Sequence, residues 1–154
     1  MAETGNDLVL DRVLDAPRDK LWRCWVEPGL LQQWFCPAPW HVAEARIDFR
    51  PGGELYTLMT GPNGEQFPSA GVFLEIVPNE RLVTTDALLA GWKPSDRAFM
   101  VVDVRLEDAG LGRTRYLARV GHWSAEAKAE HEAMGFHEGW GKAADQLEAL
   151  ARTL

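Results

Sequence analysis

The strongest constraint on this fold lies in Ile47-Asp48-Phe49-Arg50-Pro51-Gly52-Gly53-Glu54-Leu55-Tyr56. Ala43, Ala45, Ile47 and Phe49 alternate with Glu44, Arg46, Asp48 and Arg50, the pattern of a strand with one buried face. Pro51-Gly52-Gly53 forces a turn, and Leu55, Thr57 and Met59 alternate with Glu54, Tyr56 and Leu58 in a second strand. A chain that reverses here pairs neighbouring strands antiparallel.

The flanking segments extend this pattern. Leu8 to Leu14 predicts a first strand. Ala16-Pro17 starts a helix, since Pro suits the first turn and Asp19 favours the positive end of the dipole. Leu21, Trp22 and Trp25 make one buried stripe. Glu27-Pro28-Gly29 breaks that helix, and Leu30, Leu31 and Trp34 predict a second short one. Gly61-Pro62-Asn63-Gly64 is a hairpin turn. Strands follow over Phe67 to Val77 and Arg81 to Ala87, joined by Pro78-Asn79-Glu80. Leu89 to Arg97 predicts a loop. Ala98 to Glu107 and Arg113 to Gly121 are two further strands. Ser124 is a helix N-cap with Glu126 in the first turn. Phe136, Trp140, Ala143/Ala144, Leu147, Leu150/Ala151 and Leu154 then recur every three or four residues. Gly135, Gly139 and Gly141 each cost ~1 kcal/mol in a helix interior. They imply either a break near Gly135 or a close approach to the sheet.

At 154 residues the chain is expected to be one domain, 1–154, with its core over about 8–152. Its hydrophobic content of 46% and charged content of 25% belong to a globular protein. Seven tryptophans require either a bulky core or an apolar pocket. The net charge of −7, with 16 dispersed lysines and arginines, disfavours nucleic acid and an anionic membrane surface. No apolar run approaches the ~20 residues of a membrane helix. The start, Met1 to Asp7, lacks the pattern of a signal peptide. Cys24 and Cys36 are expected to be reduced thiols in the cytoplasm.

Taken in order, these motifs resemble the SRPBCC superfamily, the START-like or helix-grip fold, and within it the group related to the C-terminal domain of the activator of Hsp90 ATPase. The matching residues are Ala16-Pro17 with Leu21-Trp22, then Leu31 and Trp34. They continue with Asp48 to Gly53, Gly61 to Glu65, Gly71-Val72, Pro78 to Leu82, and Gly139-Trp140 followed by Leu147. The likeness spans roughly residues 8–152. Phe35-Cys36-Pro37 stands where the family often has Trp-Gly-Pro. The resemblance implies an α+β helix-grip fold. A curved antiparallel sheet of about six to seven strands wraps around a long C-terminal helix, with two short helices after the first strand. It also implies an internal cavity, and a homodimer from family habit.

The cavity-lining candidates are Trp40, Met59, Phe73, Trp92, Met100, Met134, Phe136, His137 and Trp140. Methionines and flat rings suit irregular apolar ligands. For any one of them taken alone, ordinary core packing is the expectation; it is the helix-grip resemblance that favours the group. Trp92 is expected either as a lid or dimer contact, or folded back on the core. His137 is the polar candidate on the last helix. The four histidines show no zinc spacing, and His131-Glu132-Ala133-Met134-Gly135 fails the helical His-Glu-x-x-His pattern. Asp48, Glu75, Asp86, Asp103, Arg105 and Arg119 are charged residues inside strands, with Asp103 and Arg105 expected to face water. Neither cysteine lies in a Cys-x-x-Cys, and both are expected to be inert. Gly52-Gly53 joins two strands, so it is no phosphate loop. No metal and no cofactor are expected.

Three functions follow. The leading expectation is non-enzymatic binding of a small hydrophobic or aromatic molecule. The second is a chaperone-associated role like that of the Hsp90 activator, although only one of the activator's domains is represented here. The third is a cavity enzyme of cyclase or lyase type on an aromatic substrate, with His137 as its polar group.

Overall fold

The computed structural model describes residues 5–154. The chain runs β1 (Asp7–Leu14), α1 (Arg18–Val26), α2 (Pro28–Leu31), β2 (His41–Ile47), β3 (Glu54–Thr60), β4 (Gln66–Val77) and β5 (Arg81–Thr85). It continues through β6 (Leu88–Leu89), β7 (Lys93–Pro94), β8 (Met100–Gly110), β9 (Arg113–His122), α3 (Ala125–Ala133) and α4 (Phe136–Ala151). Seven strands form one antiparallel sheet in the order β1-β9-β8-β5-β4-β3-β2. The chain's last strand thus pairs with its first, and α1 and α2 bridge from one sheet edge to the other.

Alternation sends Tyr116, Ala118 and Val120 of β9 and Val102, Val104 and Leu106 of β8 to one face, where all are buried. α4 lies across that face, packed against α1 and β1. Its Ala143, Ala144, Leu147 and Ala151 are buried because they recur at helical spacing. Arg12 on β1 ties α4 down, donating to the Gly141 carbonyl at 2.8 Å and pairing with Asp145. The opposite sheet face carries ion pairs. Asp103 accepts two hydrogen bonds from Arg81, at 3.1 and 2.9 Å, with Glu75 and Arg105 alongside. Asp103 does sit on the outer face, but the guanidiniums cover it to 4% exposure.

The turn after β2 does more than reverse the chain. Gly52 donates to the Phe73 carbonyl at 2.7 Å and Phe73 donates back to Gly53 at 3.1 Å, so the turn docks on β4. A Cβ on Gly53 would lie 2.0 Å from the Asp48 carbonyl oxygen, which leaves room only for glycine.

Three local expectations change, and the alternative left open for the last helix is decided. The last helix is not continuous: Gly135, at φ 92°, ends α3 and starts α4. Cβ atoms on Gly139 and Gly141 would meet neighbours only at 3.9 and 3.7 Å, so the break accounts for Gly135, and close approach to the sheet does not account for the other two. A bulge between Val42 and Glu44 shifts the phase of β2, burying Val42 and exposing Ala43. The segment Leu89 to Arg97 holds all but Leu88 of a two-stranded ribbon, β6–β7, turned by Gly91 and Trp92 at positive φ. The second short helix starts at Pro28, its N1 residue, and not after it.

Candidate functional site

A cavity of about 350 Å³ lies between the concave sheet face and α4. β3 contributes Met59, β8 contributes Met100, and α4 contributes Phe136 and Trp140, whose rings stack at 5.1 Å. The far wall is an aromatic cluster. Trp25 of α1 meets Trp34 edge-on at 5.0 Å, and Phe35 packs against both. Their polar edges are satisfied: Trp34 Nε1 donates to the Cys24 carbonyl at 2.9 Å, and Trp25 Nε1 donates to the Tyr116 hydroxyl at 3.2 Å. Gln146 of α4 locks the adjoining corner, donating to the carbonyls of Trp34 and Cys36 and accepting from the Ala38 amide. Two wall residues are substantially exposed, Phe67 on β4 and Met134 at the helix break, and they mark the opening.

Burial settles the chemistry of several groups. The Cys36 thiol lines the cavity, and burial pushes it up to about 11, as it does Cys24. Both stay protonated at neutral pH and are not nucleophiles. Asp86 borders the cavity, but its Oδ1 accepts from the amides of Phe99 and Met100 at 2.8 and 3.1 Å. Burial raises the Tyr116 hydroxyl. Among the described residues no cluster of His, Cys, Asp and Glu is arranged to hold a metal, and no helix is long and apolar enough to cross a membrane.

Of the nine residues expected at the cavity, Met59, Met100, Met134, Phe136 and Trp140 are brought together there. Four are placed elsewhere. Trp40 packs against Gly61 at the β3–β4 turn, outside the cavity. Phe73 is wholly buried behind it, edge-on to Phe49 at 5.4 Å. Trp92 lies over Gly52, half exposed, because the β6–β7 ribbon folds onto that turn. His137 points outward and pairs with Glu132 at 3.2 Å, because the break at Gly135 starts a new helix whose inward face begins with Phe136. His137 therefore cannot serve a reaction in the cavity.

The imidazole at the cavity is His131, a residue that no sequence motif marks. It is the one buried residue of α3. Its Nδ1 lies 2.8 Å from His122 Nε2, and His122 Nδ1 lies 2.8 Å from the Asn6 carbonyl. Phe99 and Phe136 flank the ring at 5.1 Å. Burial, then the neighbouring His122, lowers the His131 pKa to about 4. One sequence signal pointed there: residue 131 lies two helical turns beyond the Ser124 N-cap, on the face that turns back to the sheet.

Comparison with known proteins agrees with this architecture. The family model for activator of Hsp90 ATPase homolog 1-like protein matches residues 15–152. A crystal structure of a protein from Nitrosomonas europaea is 41% identical, with a TM-score of 0.94, covering 99% of this chain and 97% of that one. A solution structure from Arthrobacter aurescens is 25% identical, with a TM-score of 0.82, covering 97% and 87%. An AHSA1-like protein from Aeromonas hydrophila, at 17% identity, shares the fold with a TM-score of 0.72, covering 96% and 92%. No curated protein matches the chain.

Proposed function

This chain belongs to the activator of Hsp90 ATPase homolog 1-like family of the SRPBCC superfamily, and we propose that it binds a small, largely apolar or aromatic molecule in the cavity between its sheet and α4. One observation carries the reading. In a core otherwise closed by side chains, about 350 Å³ is left open and walled by methionines and aromatic rings. Close packing is the rule in protein interiors, and space of this size and character is typical of a ligand site. Methionine sulfur and ring faces offer dispersion contacts to many shapes, which suits a compact ring system. One carboxylate, Asp86, lines the site with its Oδ1 held by two amides, and no other Asp, Glu, Lys or Arg is on the wall. The site therefore favours a neutral ligand.

Native mass spectrometry and thermal shift against a panel of neutral aromatic compounds test this. At least one compound is expected to bind and raise Tm. Ala143, which lines the cavity from α4, supplies the control. Ala143→Phe fills the space and is expected to abolish the shift while preserving the circular dichroism spectrum. If no compound binds, or if binding is untouched in folded Ala143→Phe, the reading falls.

A further inference from the structure

We propose that His131, held by His122, makes this cavity selective for apolar ring ligands that carry a hydrogen-bond donor such as a hydroxyl or phenol, accepted by His131 Nε2. The inference rests on the cavity reading above and names the ligand class.

The Asn6 carbonyl can only accept, so His122 Nδ1, 2.8 Å away, carries a proton. In neutral His122 the other nitrogen, Nε2, is then an acceptor. His131 Nδ1, 2.8 Å from it, must supply the proton between them. Neutral His131 is thereby fixed as the Nδ1–H tautomer, and its Nε2 is a lone pair. That atom has no hydrogen-bond partner among the described residues, although His131 is only 9% exposed and lines the cavity. An acceptor that opens on an apolar cavity without a protein donor is matched only by a ligand that supplies one, and an apolar analogue forfeits that bond. Neutrality at physiological pH follows from the depressed basicity of the ring.

Position supports the same reading. Met134, the exposed wall residue at the opening, lies three positions after His131. Tyr116 and His122 lie on one face of β9 six residues apart, roughly 20 Å along the strand. The donor group would thus sit near the opening, with the apolar body directed towards Trp25, Trp34 and Tyr116. Phe99, Phe136 and Trp140 surround the imidazole with rings and offer no competing acceptor.

The test uses 2-naphthol and 2-methylnaphthalene, which differ by a hydroxyl in place of a methyl of similar size. Hydrophobicity alone favours the methyl compound. Wild-type protein is expected to bind 2-naphthol about tenfold tighter or more by titration calorimetry. His131→Leu is expected to erase that preference while still binding 2-methylnaphthalene. Nitrogen NMR of the wild type reads the tautomer directly and does not depend on the variant folding; Nδ1–H on His131 is expected. A wild type that binds both probes equally, or an Nε2–H tautomer, overturns the inference and leaves the cavity reading intact. Failure of both probes to bind, alongside failure of the wider panel, overturns both.

Discussion

At the scale of single residues, the same His122–His131 contact that orients the cavity imidazole also sets an acid limit on the fold. The folded pKa of His131 is about 4 against an ordinary 6.5, so the unfolded chain binds the extra proton more readily. The stability this neutral ring confers is complete above pH 6.5 and is lost as pH falls towards 4. The loss amounts to roughly 2–3 kcal/mol. Of the titratable groups around the ring, His122 is the direct neighbour, Asp86 is fixed by two amides across the cavity wall, and His137 and Glu132 pair outside it. Asp103 works in a lower window. Burial opposes its ionisation, but the hydrogen bonds from Arg81 and the charges of Arg81 and Arg105 outweigh that and hold it below 3.8. Urea unfolding from pH 7 to 4 should therefore show a decline that His131→Phe flattens. An unchanged decline in a folded variant would assign it to other groups.

Among the elements, the break between α3 and α4 decides the most. Gly135 takes φ 92°, and a Cβ there would meet nothing within 4 Å. Any substitution cost is therefore backbone strain alone. Gly135→Ala is expected to cost about 1–2 kcal/mol and lower Tm by roughly 3–6 °C. Gly139 lies within α4, and its Cβ would touch only Pro37 at 3.9 Å. Gly139→Ala should be neutral or stabilising by up to ~1 kcal/mol. Equal effects at the two sites, by differential scanning calorimetry, would contradict this assignment of the break. The break has a structural consequence. It lets α3 leave the axis of α4, so that His131 reaches the end of β9 while Met134 stays at the opening. A straight helix from Ser124 to Ala151 could not place both.

Across the whole molecule, stability is uneven in a way that matches these roles. β8 and β9 share the longest ladder of the sheet, are interior strands, and bury one face along their length. α3 buries only His131, and the β6–β7 ribbon has two residues per strand. Hydrogen exchange should find β8 and β9 amides opening only with global unfolding, and α3 and the ribbon opening locally, with α3 slowed when the cavity is filled. Uniform protection would contradict it. The sequence by itself determined the order of the main elements along the chain, the antiparallel pairing of neighbouring strands, the turn at Pro51-Gly52-Gly53 and the buried stripes of α1 and α4. These depend on periodicity and turn chemistry, which are local. It also marked methionines and rings as cavity material. It could not say which of them reach the cavity. Trp40, Phe73 and Trp92 have the same composition signal as Trp140, and only the paths of β4, β6–β7 and the β3–β4 turn remove them. The histidine was misassigned for the same reason. His137 lies three residues from Trp140 and would face inward on a continuous helix, but a single left-handed residue turns it to solvent. His122 and His131 lie nine residues apart with no motif between them, so tertiary structure alone joined them: a strand end, a capped helix and the Asn6 carbonyl met at one corner of the sheet.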